Sequence, residues 1–328
     1  MDVANIEKKV LVTGAAGFVG MHVCLRLLAL GYQVVGLDNM NSYYEPKLKQ
    51  YRLSQLLSFE KFKFVKLDLA DRDGVADLFS RELFDRVIHL AAQAGVRYSI
   101  EEPFAYVDSN LVGMMTILEG CRHNSVQHLV YASSSSVYGM NESIPFNEND
   151  QVDNPVSLYA ATKKANELMA YSYASLYGIA VTGLRFFTVY GPAGRPDMAP
   201  WLFTEAILND QPIKVFNHGK MMRDFTYIDD IVEGVVRIQE VIPQGGVPYD
   251  LYNIGNNEPI QLARFIAAIE QAIGKDAKKI YLDMQPGDVV RTYADTSRLE
   301  DAIGYKPQME IEEGIARFVA WYKAYRQL

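Results

Sequence analysis

The chain has 328 residues, 49% of them apolar and 22% charged, enough for one large domain or two that share an interface. Its formal net charge of −8 argues against a protein built to grip nucleic acid or an anionic membrane surface, though not against an anionic small substrate held by a few arginines. No apolar run approaches the ~20 residues of a membrane span, the polar start MDVANIEKK is no signal peptide, and Cys24 and Cys121 sit in apolar helical stretches as small core residues. Together these features predict a soluble, cytoplasmic protein.

In chain order, KVLVTG, QVVGLD, FKFVKLD, RVIHLA, HLVYAS and AVTGLRFF read as buried strands rich in Val, Ile, Leu and Phe. Helical patterns at 18–30, 72–83, 103–122 and 155–177 fall between them. Strand and helix alternating in this way predict an α/β fold: a doubly wound, Rossmann-type parallel sheet covered on both faces. After residue 188 the pattern loosens. Pro, Gly and Asn become frequent, short strands such as IKVF and LYNIG appear, and two helices follow at about 259–273 and 310–326. The expected division is a dinucleotide-binding part over 1–187, rejoined by about 228–256, and a smaller substrate-binding part over 188–328 interleaved with it.

The first strand runs into TGAAGFVG, in which Gly14, Gly17 and Gly20 have GxxGxxG spacing. Small residues let the backbone turn sharply and approach a pyrophosphate, whose charge the helix start at Phe18 then favours. A glycine triplet alone is weak evidence. Its context is stronger: a strand before it, a helix after it, Gly31 closing that helix, and a second strand ending in Asp38. A carboxylate there accepts hydrogen bonds from an adenosine ribose and repels a 2′-phosphate. Asn39 and Met40 follow with no adjacent Arg, so NAD is expected rather than NADP. Asp68, followed by Leu69, ends the third strand in the same manner and reads equally as an adenine partner or a helix cap.

YAATK places Tyr159 and Lys163 four apart on an expected helix, capped by Asp153 or Asn154 with Pro155 in its first turn. An ammonium so placed is expected to lower the tyrosine pKa and make it a base near neutral pH. Tyr43 and Lys47 share the spacing but lack the framing. What distinguishes Tyr159 is the serine run ASSSSVYG, whose Ser134 stands 25 residues earlier at the end of a strand. In a parallel sheet that is where ligands bind. Four hydroxyls there also satisfy backbone groups at a strand end, a role expected of Ser133 more than of Ser134.

Gly14-Ala-Ala-Gly17-Phe-Val-Gly20, Ser134 ahead of Val137-Tyr138-Gly139, and Tyr159-xxx-Lys163 together resemble the extended short-chain dehydrogenase/reductases that act on nucleotide sugars. Within them, TVYGPAGRPDMAP, VFNHGKMMRDFTYIDDI and VSLYAATKKANELMA look most like the UDP-glucuronate 4-epimerases. The resemblance covers nearly the whole chain. It implies a catalytic triad of Ser134, Tyr159 and Lys163, with Lys163 also on the nicotinamide ribose, NAD as cofactor, a UDP-sugar substrate, and a homodimer formed through the helices at about 103–122 and 155–177.

Relatives that dehydrate or decarboxylate the sugar carry carboxylates where this chain has Ser135 and Ser136. Hydroxyls supply the extra acid–base chemistry poorly, but they can donate hydrogen bonds to a sugar carboxylate. The resemblance therefore implies that Ser135, Ser136 and Thr188 recognise a uronate. It further implies that Arg195, Arg223 and Arg291 face the substrate, Arg195 on either carboxylate or phosphate, that Val215 and Phe216 lie along the uracil, and that Arg97 reaches the sugar. The rival activities are epimerisation of a neutral UDP-hexose and decarboxylation; a non-catalytic NAD-binding sensor is the rival of another class. His22, His89, His123, His128 and His218 do not cluster, and no metal is expected.

Overall fold

The computed structural model describes residues 8–284 and 291–328. Most of the polar start, and the PGDVV stretch preceding Arg291, lie outside the described residues. The first half is β1 (Lys9–Thr13), α1 (Phe18–Ala29), β2 (Gln33–Asp38), α2 (Pro46–Ser54), β3 (Phe62–Lys66), α3 (Arg72–Glu82), β4 (Arg86–His89), the single turns α4 (Tyr98–Glu101) and α5 (Pro103–Tyr106), α6 (Gly113–His123), β5 (His128–Ser134), α7 (Leu158–Tyr177) and β6 (Val181–Phe186). The second half is β7 (Thr188–Tyr190), α8 (Ala199–Leu208), β8 (Ile213–Phe216), β9 (Met222–Tyr227), α9 (Ile228–Ile238), β10 (Tyr249–Ile254), β11 (Pro259–Gln261), α10 (Leu262–Ile273), β12 (Lys279–Leu282), α11 (Ser297–Ile303) and α12 (Ile311–Arg326).

Seven strands form one parallel sheet in the order β10-β6-β5-β4-β1-β2-β3. The order reverses at β1, between β2 and β4, which opens a crevice at the carboxyl ends of the strands. Alternation along β1 sets the two sides of the core. Val10 and Val12 pack with Val23 and Leu27 of α1 and Ile231 and Val235 of α9. Leu11 faces the other way, with Phe79 of α3, Ile117 of α6 and Ala170 of α7. Each such buried Val, Leu, Ile or Phe side chain stabilises the fold by about 1.5–3 kcal/mol. Two small sheets, β11-β9-β7 and β12-β8, complete the second half.

Several boundaries differ from expectation for local reasons. α7 begins at Leu158, because the Ser157 hydroxyl accepts the Ala160 N–H at 3.1 Å and caps it; Asp153, Asn154 and Pro155 precede the helix. The stretch expected as one helix over 103–122 is broken by a π-helical turn at Val107–Val112. α10 starts at Leu262 because residues 259–261 pair with β9 instead. α2 has no apolar stripe: its buried face includes Lys49 and Arg52 beside Leu48, so hydrophobic periodicity does not reveal it.

Candidate active site

A cavity of about 1030 Å³ opens over the carboxyl ends of the central strands. That is at the upper end of the range for a single small ligand. Its floor is the glycine turn. Gly14 has φ +73°, and a Cβ there would lie 2.9 Å from the Ala91 nitrogen; on Gly20 it would lie 2.0 Å from the Gly14 carbonyl oxygen. Only glycine permits so close a turn. α1 is capped by Gly17 with no side-chain acceptor on its first amides, the arrangement that receives a phosphate. The turn is tied to Asp38, whose Oδ2 accepts the Ala16 N–H at 3.2 Å while Oδ1 accepts that of Met40 at 2.8 Å. Gly14, Gly17, Phe18, Gly20, Asp38, Asn39, Asp68 and Leu69 all line the cavity. The Asn39 amide donates to Asp68 at 2.9 Å. Asp68 does not cap α3: Asp71 does, accepting the Gly74 N–H at 3.0 Å. This end could take a dinucleotide: it has open helix-start amides that suit a pyrophosphate and a carboxylate at the end of β2 that suits a ribose.

β5 delivers the serines and α7 delivers Tyr159 and Lys163 to the same wall. Lys163 Nζ donates to the Ala132 carbonyl at 2.8 Å, which pins α7 to β5. Ser134 Oγ accepts the Ser136 N–H at 3.2 Å and donates to Ser136 Oγ at 3.1 Å. The backbone-satisfying role expected of Ser133 thus belongs to Ser134. Ser133 donates instead to the Glu167 carboxylate at 2.7 Å, and Glu167 is held by both Nε and Nη2 of Arg185 at 2.9 Å. This buried ion pair stands behind the serine run and fixes its direction.

The pKa relation expected between Tyr159 and Lys163 is not the one found. Burial pushes the Tyr159 phenol above its usual value; the Ser134 hydrogen bond and the positive charge of Arg195 pull it back. Lys163 Nζ lies 6.0 Å from the Tyr159 ring centroid and spends a hydrogen bond on β5, and burial lowers its own pKa to about 8. Burial dominates, and the positive charge that partly offsets it comes from Arg195, which chain spacing did not single out.

Ser135, Ser136, Thr188, Arg195 and Phe216 line the cavity, as does Arg97. Arg195 is paired through two nitrogens with Asp197, its Nε donating at 3.0 Å. Val215 and Phe216 face opposite ways. On β8 the side chains alternate, so Phe216 and Lys214 face the cavity while Val215 is buried in the core. A backbone bridge joins Met222, the neighbour of Arg223, to Arg291, but neither arginine lines the cavity. Arg223 donates to the Met222 carbonyl at 2.9 Å, and the Arg291 guanidinium lies 5.1 Å from the Tyr293 ring.

Some site residues escaped the sequence reading. Tyr43 lines the cavity and donates to Asp197 at 3.3 Å, although its spacing with Lys47 signified nothing. Lys49 and Lys214 are lining cations. Asn110, in the π turn, accepts the Gln93 N–H at 2.8 Å and donates to Thr162 on α7 at 3.0 Å, bracing the loop after β4. A polar residue in the middle of an expected apolar helix was the only available signal for it. Among the described residues no group of three His, Cys, Asp or Glu side chains could hold a metal ion.

Comparison with known proteins places the chain in a family. The model of the NAD dependent epimerase/dehydratase family matches residues 10–255. A probable UDP-glucuronate 4-epimerase of Rhizobium meliloti is 48% identical, covering 95% of this chain and 96% of its own. Protein CapI of Staphylococcus aureus is 52% identical, covering 97% and 99%. The crystal structure of a UDP-glucuronic acid 4-epimerase from Bacillus cereus, in complex with UDP-glucuronic acid and NAD, superposes with a TM-score of 0.90 at 35% identity, covering 97% of this chain and 99% of that one. The chain belongs to the NAD dependent epimerase/dehydratase family.

Proposed function

We propose that this chain is an NAD-dependent UDP-glucuronate 4-epimerase that interconverts UDP-glucuronate and UDP-galacturonate. The observation that carries the reading is the wall formed by Ser134, Ser135, Ser136, Thr188 and Tyr159, in which hydroxyls stand where an eliminating or decarboxylating enzyme would carry acids. The named relatives with this activity, similar along nearly the whole chain, support it.

Gly14, Gly17, Phe18 and Gly20 would hold the pyrophosphate of NAD, Asp38 and Asn39 the adenosine ribose, Asp68 and Leu69 the adenine, and Lys163 the nicotinamide ribose. When bound, NAD supplies reversible removal of hydride from carbon 4 of the sugar. Tyr159 takes the proton of the 4-hydroxyl and returns it after the keto sugar has turned its other face, and Ser134 steadies the oxygen. Ser135, Ser136 and Thr188 hold the sugar carboxylate. Arg195 supplies positive charge beside Tyr159 and the substrate anion. Phe216 covers the uracil. Arg223 and Arg291 form a guanidinium pair for the diphosphate, reached by rotation of their side chains toward the cavity. Residues 1–187 with about 228–256 form the cofactor half, which fits the place of α9 and β10 against the main sheet.

The enzyme is a homodimer in this reading, paired through α6 and α7; Met115, Leu168, Tyr171, Leu176 and Tyr177 are exposed there. Cys24 and Cys121 are free thiols, consistent with the cytoplasm. Among the described residues no helix is long and apolar enough to cross a membrane. Steady-state kinetics test the substrate: kcat/KM for UDP-glucuronate should exceed that for UDP-glucose by roughly 100-fold or more. Equal or reversed values overturn the uronate reading in favour of a neutral UDP-hexose.

A further inference from the structure

The segment after Asp38 turns charge inward. Lys49 of α2 is only 6% exposed, yet it lines the large cavity. Its Nζ stands 3.5 Å from Asp38 Oδ1 and donates to Asn41 Oδ1 at 2.8 Å. The absence of an Arg beside Asp38 in sequence therefore does not leave this subsite without a cation. The next cation on α2 is differently committed. Arg52 is fully buried and donates to the carbonyls of Ala193, Gly194 and Ala16 and to the Tyr44 hydroxyl, so it serves the fold. Among the described residues, the hydrogen-bonding and ionic partners of Lys49 are Asn41 and Asp38.

Resting on the assignment of Asp38 to the adenosine ribose, we propose that Lys49 is the second half of the cofactor discriminator, a receptor for a 2′-phosphate already in place and masked by the Asp38 carboxylate. Asp38 repels the phosphate of NADP and engages the Lys49 ammonium beside it. NAD preference is thus set by a carboxylate working against a lysine rather than by a carboxylate alone. Replacing Asp38 with a small neutral residue leaves a buried ammonium without its counter-charge, an arrangement that strongly favours taking up an anion. A 2′-phosphate supplies that anion, with Asn39 and Asn41 at the same rim of the cavity.

The test is fluorescence titration of the cofactor-stripped protein with NADH and NADPH, using wild type, Asp38→Ser, Lys49→Met and the double variant. Asp38→Ser should raise NADPH affinity roughly tenfold over wild type, and the double variant should lose that gain while binding NADH like Asp38→Ser. Lys49→Met alone, which keeps the carboxylate, should widen the NADH-to-NADPH ratio several-fold, and this arm stands even if Asp38→Ser does not fold. A lysine that serves only to brace the loop would shift both cofactors equally. The proposal is overturned by a Lys49→Met ratio equal to wild type, or by a NADPH gain that survives in the double variant. A wild-type protein that binds neither nucleotide would instead overturn the cofactor reading itself.

Discussion

Lys163 on α7 donates a hydrogen bond to the carbonyl oxygen of Ala132 on β5 at 2.8 Å, two residues before Ser134. The bond joins the helix that carries Tyr159 to the strand that carries the serines, so Ser134, Tyr159 and Lys163 share one corner of the cavity. A protonated lysine makes this bond best. Burial brings the Lys163 pKa down to about 8, and so the ammonium is lost as pH rises through that value. The kcat profile should accordingly fall on its alkaline side with a midpoint near pH 8. A Lys163→Arg variant, whose guanidinium does not titrate there, should be slower overall but lack that limb. A limb unchanged in the variant would assign the loss to another group.

Thr188 opens β7 and faces the same cavity as Ser135 and Ser136. Once carbon 4 is a ketone, the substrate carboxylate is that of a β-keto acid. Breaking the carbon 5–carbon 6 bond would release carbon dioxide and leave the electron pair in an enolate, which is protonated to a UDP-4-keto-pentose. The bond must align with the carbonyl π system for this to occur. Hydroxyls that hold the carboxylate out of alignment suppress it. Thr188→Ala should raise carbon dioxide released per turnover several-fold, measured with substrate labelled at carbon 6. No rise removes Thr188 from this role.

Glu167 and Arg185 are both buried, with side chains 4% and 2% exposed. Glu167→Gln keeps the shape and removes the charge, leaving Arg185 desolvated and unpaired, which costs roughly 3–5 kcal/mol. Replacing both residues by apolar ones of similar volume should cost less than that single change. Chemical denaturation of the three proteins decides it: a Glu167→Gln variant as stable as wild type would show that the pair contributes little.

Asp224 is fully buried on β9 and accepts backbone N–H groups from Asn256, Asn257 and Ala294, so it joins β9 to the segment after β10 and to that after Arg291. Burial pushes its pKa up to about 6 despite those bonds. A carboxyl whose folded pKa lies above its unfolded value of about 3.9 binds protons preferentially in the native state between the two. Its contribution to stability is therefore full below about pH 4 and is lost as pH rises through 6, a change of roughly 2–4 kcal/mol. Asp224→Asn removes this dependence, so wild type should lose stability relative to the variant between pH 4 and 7. A constant difference across that range would contradict the shift.

The central sheet was legible because buried parallel strands are short unbroken apolar runs, and because GxxGxxG between a strand and a helix has few structural uses. That Tyr159, Lys163 and Ser134 share one cavity wall was legible from their framing, but their electrostatics were not. The sequence puts Lys163 one helical turn from Tyr159, whereas only the fold shows its ammonium turned to Ala132 and Arg195, 36 residues downstream of Tyr159, supplying the charge. α2 was hidden because burying Lys49 and Arg52 inverts the amphipathic pattern. The opposite facing of Val215 and Phe216 was not legible because strand alternation depends on which face of β8 is covered, and the packing of α8 decides that only in three dimensions.

The central claim, that the hydroxyl wall selects a uronate for epimerisation at carbon 4, is tested most directly by proton NMR of the purified protein with UDP-glucuronate in one tube and UDP-glucose in another. The account predicts that UDP-galacturonate signals grow in the first tube, with a full complement of sugar carbons, while the second stays unchanged. Turnover of UDP-glucose alone, or a pentose product in the first tube, would contradict it.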